Sequence, residues 1–402
     1  MRQGRVFRRC MTCGKRVEER RCAACGSERA SWAYVVDIAP SGAPRDQRTK
    51  GGFATKALAV GAMHGLQASA ASGSFVEPSR VTVAQYLETW LQTVRPPIVR
   101  GATWISYEGA VRRHIIPRIG NLPLQQLTRA AVKACYQSMT ESGSPGGGPL
   151  NAKTVHNTHL TLRKALGDAV NDHLLTINPA DGAHRLHRDR PEMQTWTAEQ
   201  LGVFLAGVAG DELFAVWRLA ATTGMRRGEL LALRWHDVDL ATGSLRVVQA
   251  RVRGESGWTY GPPKTAKGRR SIALDSGTVA ALAAQRKTQS VIRPRFGPYD
   301  EDADLVFARP DGSPMDPDSV SGRFERMVRV MPLPLIRLHD LRHTHATLAL
   351  AAGIHPKVVQ ERLGHSSVMM TLDLYSHAVP AMQADAASIV AALHDVAAGV
   401  RP

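Results

Sequence analysis

The segment LHDLRHTHATLAL, residues 338–350, places a histidine and an arginine three positions apart inside an apolar helical pattern. Side chains three apart lie on one face of a helix, so His339 and Arg342 are predicted to grip the same anion. His339 and His343 have the spacing of a helical zinc site, but the glutamate of that motif is absent and no third ligand is evident. The pattern therefore favours an anion site, and it predicts packing or supporting roles for His343 and His345.

An upstream segment, LAATTGMRRGELLALRW, predicts one helix that ends at Gly224 and a second helix that begins near Arg226. The first turn of a helix attracts anions, because its backbone N–H groups lack partners within the helix. Glu229 follows three residues after Arg226, so its carboxylate is predicted to hold the guanidinium in place. Taken alone, the two residues also have the simpler interpretation of a surface ion pair.

Two further segments carry groups that can take part in chemistry. The Gly/Pro-rich turn GPPKTAKG lies between predicted strands and contains Lys264 and Lys267. A lysine in such a turn can bring a transferable proton to a ligand, although a solvated hairpin tip is the alternative. The segment LGHSSVMMTLDLYSH, residues 363–377, carries His365 and, ten residues later, Tyr375. By itself, Tyr375 would be interpreted as a core or surface tyrosine.

Together, these segments place their polar residues in the order R…K…H-x-x-R…H…Y. This order resembles the catalytic domain of the tyrosine recombinases, the phage-integrase family. The resemblance implies that Tyr375 is the nucleophile and that five side chains surround a scissile DNA phosphate: Arg226, Lys264, His339, Arg342 and His365. It favours Lys264 over Lys267, because the family's catalytic lysine immediately precedes a threonine or serine in this hairpin. It also implies that Glu229 orients Arg226.

The resemblance further implies a mechanism that requires neither a metal nor ATP. The two arginines stabilise the negative charge that accumulates on the phosphate oxygens during transesterification. His339 is expected to accept the proton of Tyr375, and His365 to hydrogen-bond the phosphate. Lys264 is expected to protonate the departing 5′-oxygen. The product is a 3′-phosphotyrosyl enzyme, which a second 5′-hydroxyl can attack. Repeated exchange passes through a Holliday junction and implies a homotetramer on two DNA sites.

The composition agrees with a nucleic-acid partner. The 402-residue chain carries a formal net charge of +16 and has a pI near 10.1, and such a charge attracts polyanions over a long range. An anionic membrane would attract it too, but no segment approaches the ~18 apolar residues of a membrane span. The N-terminal segment also lacks the apolar core of a signal peptide. The sequence therefore predicts a soluble, cytoplasmic protein.

Four of the five cysteines form two C-x-x-C pairs that are separated by eight residues and are each followed by a glycine. Thiolates in this arrangement can close a tetrahedral zinc site, and a glycine after each pair suits tight turns around a metal. The predicted ligands of this structural zinc are Cys10, Cys13, Cys22 and Cys25. The alternatives are reduced cysteines in a disordered basic arm or a redox pair, and the spacer is shorter than in common zinc ribbons. Cys135 is predicted to be a small buried hydrophobic residue.

Changes of pattern along the chain predict a multidomain protein, and the resemblance supplies the domain names. The expected order is a cysteine-rich zinc-binding segment (1–30), an arm-type DNA-binding domain with a three-stranded sheet plus helix (31–72), a linker (73–80), an all-α, SAM-like core-binding domain (81–180), a second linker (181–194) and a catalytic domain with a C-terminal tail helix (195–402). The catalytic domain is expected to have the DNA breaking-rejoining fold, an α+β fold that is mostly α with a small β-sheet.

Double-stranded DNA with core-type and arm-type sites is the expected partner. Basic side chains on the helical domain are predicted to contact it, although each one alone is typical of a solvated surface: Arg112, Arg113, Arg118 and Lys153. The resemblance adds an excision directionality factor and a host DNA-bending protein as candidate partners, and it implies no cofactor for catalysis.

The small sheet domain favours one function within the family. Integrases of mobile elements keep such a domain, whereas recombinases that resolve chromosome dimers usually lack it. The sequence therefore predicts an integrase that inserts a phage or integrative element into a bacterial chromosome and excises it. The alternatives are a chromosome-dimer resolvase, a type IB topoisomerase-like enzyme that rejoins the original strand, and a non-catalytic DNA-binding regulator. The complete catalytic set disfavours the regulator.

Overall fold

The computed structural model describes residues 4–39, 44–73, 75–144, 146–183, 193–263, 265–296 and 304–369. The chain divides into two compact units, Met1–Val99 with Thr103–Arg188, and Arg100–Ala102 with Asp189–Pro402. The predicted C-terminal tail helix lies outside the described residues. Within the described part of the chain, no helix has both the length and the apolar character needed to cross a membrane.

The N-terminal module is an antiparallel sheet covered on one side by a helix. Its strands are β1 (Arg5–Cys10), β2 (Arg16–Val17), β3 (Ala30–Asp37) and β4 (Gln47–Phe53), and its helix is α1 (Lys56–Ala71). The strand order is β2-β1-β3-β4, and each neighbouring pair is antiparallel. The module therefore joins distant parts of the first 71 residues in one sheet.

This sheet corrects the prediction of three strands within residues 31–72. That range contributes only β3 and β4, and the other two strands come from the segment predicted as separate and cysteine-rich. Val6 of β1 packs with Tyr34, Val36 and Met63 in a small core under α1. The prediction fails because arginines dominate the strand RVFRRC and a single valine carries its apolar face. The cysteine-rich segment is thus part of the sheet module.

The next module is helical, as predicted. Its helices are α2 (Val83–Thr93), α3 (Gly101–Gly109), α4 (Ile116–Ile119), α5 (Arg129–Ser142) and α6 (Ala152–Asn171). A π-helical turn, Ala110–Ile115, joins α3 to α4 just before Pro117. Proline lacks an N–H and its ring crowds the carbonyl four residues earlier, so a widened turn is the expected response. Leu87, Leu162 and Leu166 lie fully buried in the core between these helices.

The second unit combines helices with a small sheet, as predicted for the catalytic domain. Its helices are α7 (Ala198–Gly207), α8 (Phe214–Thr223), α9 (Arg227–Leu230), α10 (Ser276–Ile292), α11 (Pro317–Arg329), α12 (Asp340–Ala351) and α13 (Pro356–Leu363). Its strands are β5 (Val238–Asp239), β6 (Ser244–Val247), β7 (Ala250–Gly254), β8 (Gly257–Gly261) and β9 (Arg270–Ala273). One sheet has the order β5-β6-β9, and β7 pairs with β8 as a separate hairpin.

An aromatic cluster anchors this unit, because the rings of Trp196, Phe204, Trp217 and Phe324 are buried against one another. The spacing of Thr197 and Gln200 in the sequence predicts a capping box at the start of α7, and it is present: Thr197 accepts from the backbone N–H of Gln200, and the Gln200 side chain accepts from the backbone N–H of Thr197. The predicted helix boundary is confirmed as well. Helix α8 ends at Gly224 in the left-handed conformation, and α9 begins directly after Arg226.

Candidate active site

Four segments of the second unit converge at one polar junction: the ends of α8 and α13, the start of α12, and strand β9. Gly224 and Gly364 terminate the two helices with φ of 62° and 66°, the left-handed conformation that glycine adopts at little cost. A Cβ at Gly224 would lie 2.5 Å from Leu363 Cδ2. Because the two helix ends approach so closely, side chains from distant parts of the sequence meet there.

Arg226 and Glu229 form the ion pair predicted from the sequence. Arg226 Nη1 donates to Glu229 Oε1 at 2.8 Å, and the Arg226 backbone N–H donates to Glu229 Oε2 at 3.0 Å. The other terminal nitrogen, Arg226 Nη2, donates to the Gly364 carbonyl at 3.3 Å. Glu229 is only 2 % exposed. The carboxylate of the pair is therefore buried and the Arg226 side chain is partly exposed, so the interpretation as a simple surface ion pair is wrong.

Arg270 joins this pair from β9, and sequence reasoning missed it. Its Nη2 donates to Glu229 Oε2 at 2.9 Å, and its Nε donates to the carbonyl of Arg362 at 2.6 Å. The sequence carries only a partial signal: Arg270 lies on the same face of the strand as the buried Ile272, which indicates that it points inward but not which residue it meets. Burial acts to raise the pKa of Glu229, but the neighbouring guanidinium groups of Arg270 and Arg226 bring that pKa below its ordinary value.

Arg342 lies deepest in the junction and is 3 % exposed. Its Nη1 donates to the Gly224 carbonyl, and its Nη2 donates to the Leu363 carbonyl, both at 2.7 Å. Burial, together with the nearby charge of Arg226, lowers the pKa of this guanidinium to about 9. Arg226 and Arg270 thus share the carboxylate of Glu229, whereas Arg342 donates to two main-chain carbonyls. The remaining positive charge and the fork-shaped donors suit an anion such as a phosphate.

The two predicted catalytic histidines flank the arginines. His339 directly precedes α12, and His365 follows the glycine that ends α13. Burial and nearby positive charge lower the pKa of each imidazole to about 4, so both are neutral at pH 7. A neutral imidazole can accept a proton, which is the role predicted for His339. The ring of His343 packs edge-on against His339, with ring centroids 5.2 Å apart.

One of the two candidate lysines lies beside this cluster. Lys267 Nζ donates to the carbonyl of Ser366 at 3.0 Å, one residue beyond His365. Lys264 and Tyr375 lie outside the described residues, so their roles as general acid and nucleophile stay predictions.

His345 has a structural role at the same junction. Its Nδ1 lies 3.1 Å from the Ala221 carbonyl oxygen, and its Nε2 accepts a hydrogen bond from Arg362 Nε at 3.3 Å. This arrangement requires the neutral tautomer that carries its proton on Nδ1. Burial, followed by the charge of Arg362, lowers the pKa of His345 to about 4. The interaction is therefore stable at neutral pH.

Because the pKa values of these histidines are lowered in the folded state, we expect the DNA-free protein to lose stability on mild acidification. The pKa of an unfolded histidine is about 6.5, whereas His339, His345 and His365 have pKa values of about 4 when folded. Between these values the unfolded state binds more protons. This contribution to stability is therefore fully present above about pH 6.5 and is lost as the pH falls toward 4, by about 2 kcal/mol at pH 5 for a fully buried imidazole and less for a partly solvated one.

The measurement is the thermal unfolding midpoint at pH 7 and pH 5. The midpoint of His345→Gln is expected to fall less over this interval than that of the wild type, since an amide can keep both hydrogen bonds and does not titrate. His236 is exposed, so His236→Gln is the matched control. Equal pH dependence in all three proteins would contradict the expectation.

The basic residues predicted on the helical module differ in their surroundings. Arg112 forms ion pairs with two glutamates, at 2.8 and 2.6 Å. Arg118 donates to the carbonyl of His114 at 2.9 Å. Arg113 and Lys153 are exposed. A phosphate contact by the exposed pair would therefore require no rearrangement of the module, whereas Arg112 and Arg118 already hold parts of it together.

The four N-terminal cysteines come together, as the metal-site prediction requires. Their sulfur atoms all lie within 4.8 Å of one another. The shortest separations are 3.4 Å and 3.6 Å, for the pairs Cys13–Cys22 and Cys10–Cys25. Four zinc-bound thiolates at ~2.3 Å from the metal would be about 3.8 Å apart. The cluster therefore has close to the dimensions of a tetrahedral zinc site.

Family comparisons give an independent view of the chain. Residues 209–382 match the phage integrase family, and residues 82–140 match the N-terminal SAM-like domain of phage integrases. The ICEBs1 integrase of Bacillus subtilis (strain 168) is 28% identical over 279 residues, which make up 69% of this chain and 74% of that protein. Both the predicted catalytic domain and the predicted helical domain thus have counterparts in known integrases.

Solved structures agree with these matches. The Tn1549 transposon integrase in complex with a circular intermediate DNA is similar with a TM-score of 0.63 and 26% identity, over 73% of this chain and 94% of that one. A lambda integrase tetramer bound to a Holliday junction shares the fold, with a TM-score of 0.56 and 19% identity, over 85% of this chain and 91% of that one. The chain belongs to the phage integrase family and is a tyrosine site-specific recombinase.

Proposed function

We propose that this recombinase integrates and excises a mobile element by transesterification at a DNA phosphate held between Arg226 and Arg342. The observation that supports this most directly is the charge at the junction of α8, α12 and α13. Three guanidinium groups lie near one another there, and the buried Glu229 carboxylate pairs with two of them, those of Arg226 and Arg270. A phosphodiester that gains negative charge in its transition state is an anion of the kind that this arrangement stabilises.

In the proposed reaction, Tyr375 Oη attacks the phosphorus and the bond to the 5′-oxygen breaks. The neutral His339 accepts the tyrosine proton, and a lysine donates a proton to the departing 5′-oxygen. The covalent 3′-phosphotyrosyl ester conserves the bond energy, so a 5′-hydroxyl from a second duplex can reverse the reaction and join new strands. His365 donates a hydrogen bond to the phosphate. No cofactor takes part in this scheme.

We propose that Lys264 donates the proton to the departing 5′-oxygen, and Lys267 is the alternative donor. A substrate with sulfur in place of the bridging 5′-oxygen tests this, because a thiolate is a much better leaving group and needs no proton. We expect Lys264→Ala to cleave the ordinary substrate about 10²-fold or more slowly and to recover on the sulfur substrate. Lys267→Ala is the matched control. Recovery of Lys267→Ala alone would transfer the role to Lys267.

The proposed assembly is four protomers on two core-type sites. A lambda integrase tetramer binds a Holliday junction, and that protein shares this chain's fold. The N-terminal sheet module would bind separate arm-type sites, while Arg113 and Lys153 of the helical module would contact the core-site backbone. An excision directionality factor and a host DNA-bending protein complete the proposed set of partners. We place the reaction in the bacterial cytosol, on chromosomal DNA.

Suicide substrates test this function. The protein is incubated, without metal or ATP, with nicked duplexes from candidate attachment sites, so that the cleaved strand diffuses away and the covalent product accumulates. A denaturing gel detects the adduct, and peptide mass spectrometry maps it. An adduct on Tyr375 supports the proposal. Tight, site-specific binding without an adduct would favour a regulator, and an adduct on another residue would refute the assignment of the nucleophile.

We also propose that the N-terminal cysteines hold a structural zinc ion. Gly14 and Gly26 follow the two Cys-x-x-Cys pairs with φ of 74° and 71°, which produces two tight turns of the same kind. Backbone N–H groups in these turns lower the pKa of Cys10, to about 6, and the pKa of Cys22. The Ser27 backbone acts in the same direction on Cys25, but the neighbouring thiols and burial raise the pKa of Cys25 to about 12. Zinc binds cysteine as the thiolate, so the contacts of Cys10 and Cys22 support the proposal.

The protein purified without chelator is expected to contain one zinc ion per chain, as measured by elemental mass spectrometry. The double variant Cys13→Ser, Cys22→Ser is expected to contain none, because two ligands cannot hold a structural site. Cys135 lies buried in the helical module, so Cys135→Ala serves as the control that retains the metal. Unchanged zinc content in the double variant would refute the site.

A further inference from the structure

The first cysteine pair forms the turn of a hairpin. Strand β1 ends at Cys10, and β2 begins at Arg16 and pairs back with β1, so the turn between them contains Cys13. Two backbone hydrogen bonds close this turn: the Cys10 N–H donates to the Lys15 carbonyl at 2.8 Å, and the Gly14 N–H donates to the Cys10 carbonyl at 3.1 Å. The cysteine site is therefore continuous with the sheet.

The same turn determines how β2 is held. This strand has only two residues and two register partners, Arg16 opposite Arg9 and Val17 opposite Arg8. A pairing this short is not stable by itself. The second cysteine turn reinforces it: the Met11 N–H donates to the Arg29 carbonyl at 2.9 Å, and Thr12 Oγ1 donates to Ser27 Oγ at 2.9 Å. A metal bound to all four sulfurs would hold the hairpin against the second cysteine turn, which leads into β3.

Strands β1 and β2 carry arginines on the face of the sheet opposite α1. Side chains alternate along a strand, and Val6 lies in the core under α1, so Arg5, Phe7 and Arg9 point to the other face. The register puts Arg16 on that face too, beside Arg9. The Arg16 guanidinium lies 5.9 Å from the centroid of the Phe7 ring, within cation–π distance.

Contacts of these two arginines connect the face to the metal turn. Arg9 Nε donates to the carbonyl of Gly14 at 2.8 Å, so the turn that follows Cys13 holds this side chain directly. Arg16 stands on the strand that the turn supports. Arginine is well suited to phosphate contacts, because its charge is permanent and its donors are arranged as a fork.

We propose that the metal centre is part of the duplex-binding surface of the N-terminal module: it fixes the β1–β2 hairpin and thereby places Arg9 and Arg16 to contact DNA phosphates. Duplex binding by this module therefore depends on the metal, while binding and cleavage of core-type DNA by the rest of the chain do not. The inference rests on the proposed arm-site and zinc functions.

The test selects duplexes from a random-sequence library with the full-length zinc-loaded protein and identifies the enriched motifs by sequencing. Two motifs are expected, one bound by the catalytic and helical modules and one bound by the N-terminal module. The double variant Cys13→Ser, Cys22→Ser should lose the second motif by about tenfold or more in affinity and should still cleave nicked duplexes of the first. That retained cleavage shows that the rest of the chain is folded.

Arginine variants separate the surface from the metal. Arg9→Gln and Arg16→Gln should keep one zinc per chain and bind the second motif more weakly, and each should reduce the slope of log affinity against log salt by about one. Arg20 is exposed in the loop after β2, so Arg20→Gln removes the same charge and should leave binding unchanged.

Other outcomes overturn distinct claims. Intact binding of the second motif by a zinc-free variant refutes the dependence proposed here, as does normal binding by both arginine variants. A selection that returns only one motif refutes the arm-site function, and a wild-type protein without zinc refutes the metal site.

Discussion

Tyr375→Phe is expected to bind core-site duplexes as tightly as the wild type and to form no covalent protein–DNA product. The substitution removes one oxygen atom, the proposed nucleophile, and keeps the aromatic ring. Losing a nucleophile from a covalent enzyme reduces the rate by roughly 10⁴–10⁶-fold, which places the variant below detection in a gel assay. The proposed phosphate contacts of the arginines should provide most of the binding energy, and the substitution leaves those side chains unchanged.

DNA affinity and formation of the covalent product are measured separately. Fluorescence anisotropy with a labelled duplex gives the affinity, and a denaturing gel with nicked duplexes gives the adduct. Tyr107 packs against Trp90 with ring centroids 5.2 Å apart, so Tyr107→Phe removes a hydroxyl from the same residue type in the helical module and should leave the adduct intact. An adduct that persists in Tyr375→Phe would show that another residue attacks the phosphate.

Arg342→Lys is expected to slow strand cleavage by about 10²–10³-fold, the usual effect of removing one preorganised donor of this kind. The guanidinium makes two hydrogen bonds at once, to the carbonyls of Gly224 and Leu363, and it can still present charge to a phosphate. An ammonium group at the end of a flexible stem cannot reproduce that fork. Burial, which already lowers the pKa of Arg342 to about 9, would also disfavour the charged form of a lysine.

Single-turnover cleavage rates of nicked duplexes provide the measurement. Arg309 is exposed in the second unit, so Arg309→Lys is the matched control and should cleave at the wild-type rate. Circular dichroism and the unfolding midpoint show whether Arg342→Lys is folded. A folded variant that cleaves within a factor of about three of the wild type, well below the expected loss, would contradict the proposed role.

Local rules were enough to predict several features of the catalytic unit. The capping box at Thr197 and the helix end at Gly224 depend on residues within one turn of the chain, and both are confirmed. The Arg226–Glu229 contact is local as well. The resemblance supplied the rest of the set, and the structure brings Arg226, His339, Arg342 and His365 to one junction.

Features that depend on pairing between distant segments could not be predicted in this way. Arg270 meets Glu229 across 41 residues, and only the position of β9 in its sheet brings the two together. Strand β1 pairs with β3 across a cysteine-rich loop, and its arginines hide the weak apolar alternation that defines it. In both cases the deciding contact lies in the sheet register, which the sequence pattern of one strand does not contain.

The two carbonyls that accept hydrogen bonds from Arg342 link the phosphate site to the folding of the catalytic unit. They belong to the ends of α8 and α13, where the aligned peptide dipoles concentrate negative charge. Arg342, which is proposed to stabilise the charge of the phosphate, thus also joins two helices that are far apart in the chain. In a molecule whose catalytic unit is not yet folded, these two hydrogen bonds are absent and the phosphate site is not assembled. We therefore expect strand cleavage to require a fully folded catalytic unit.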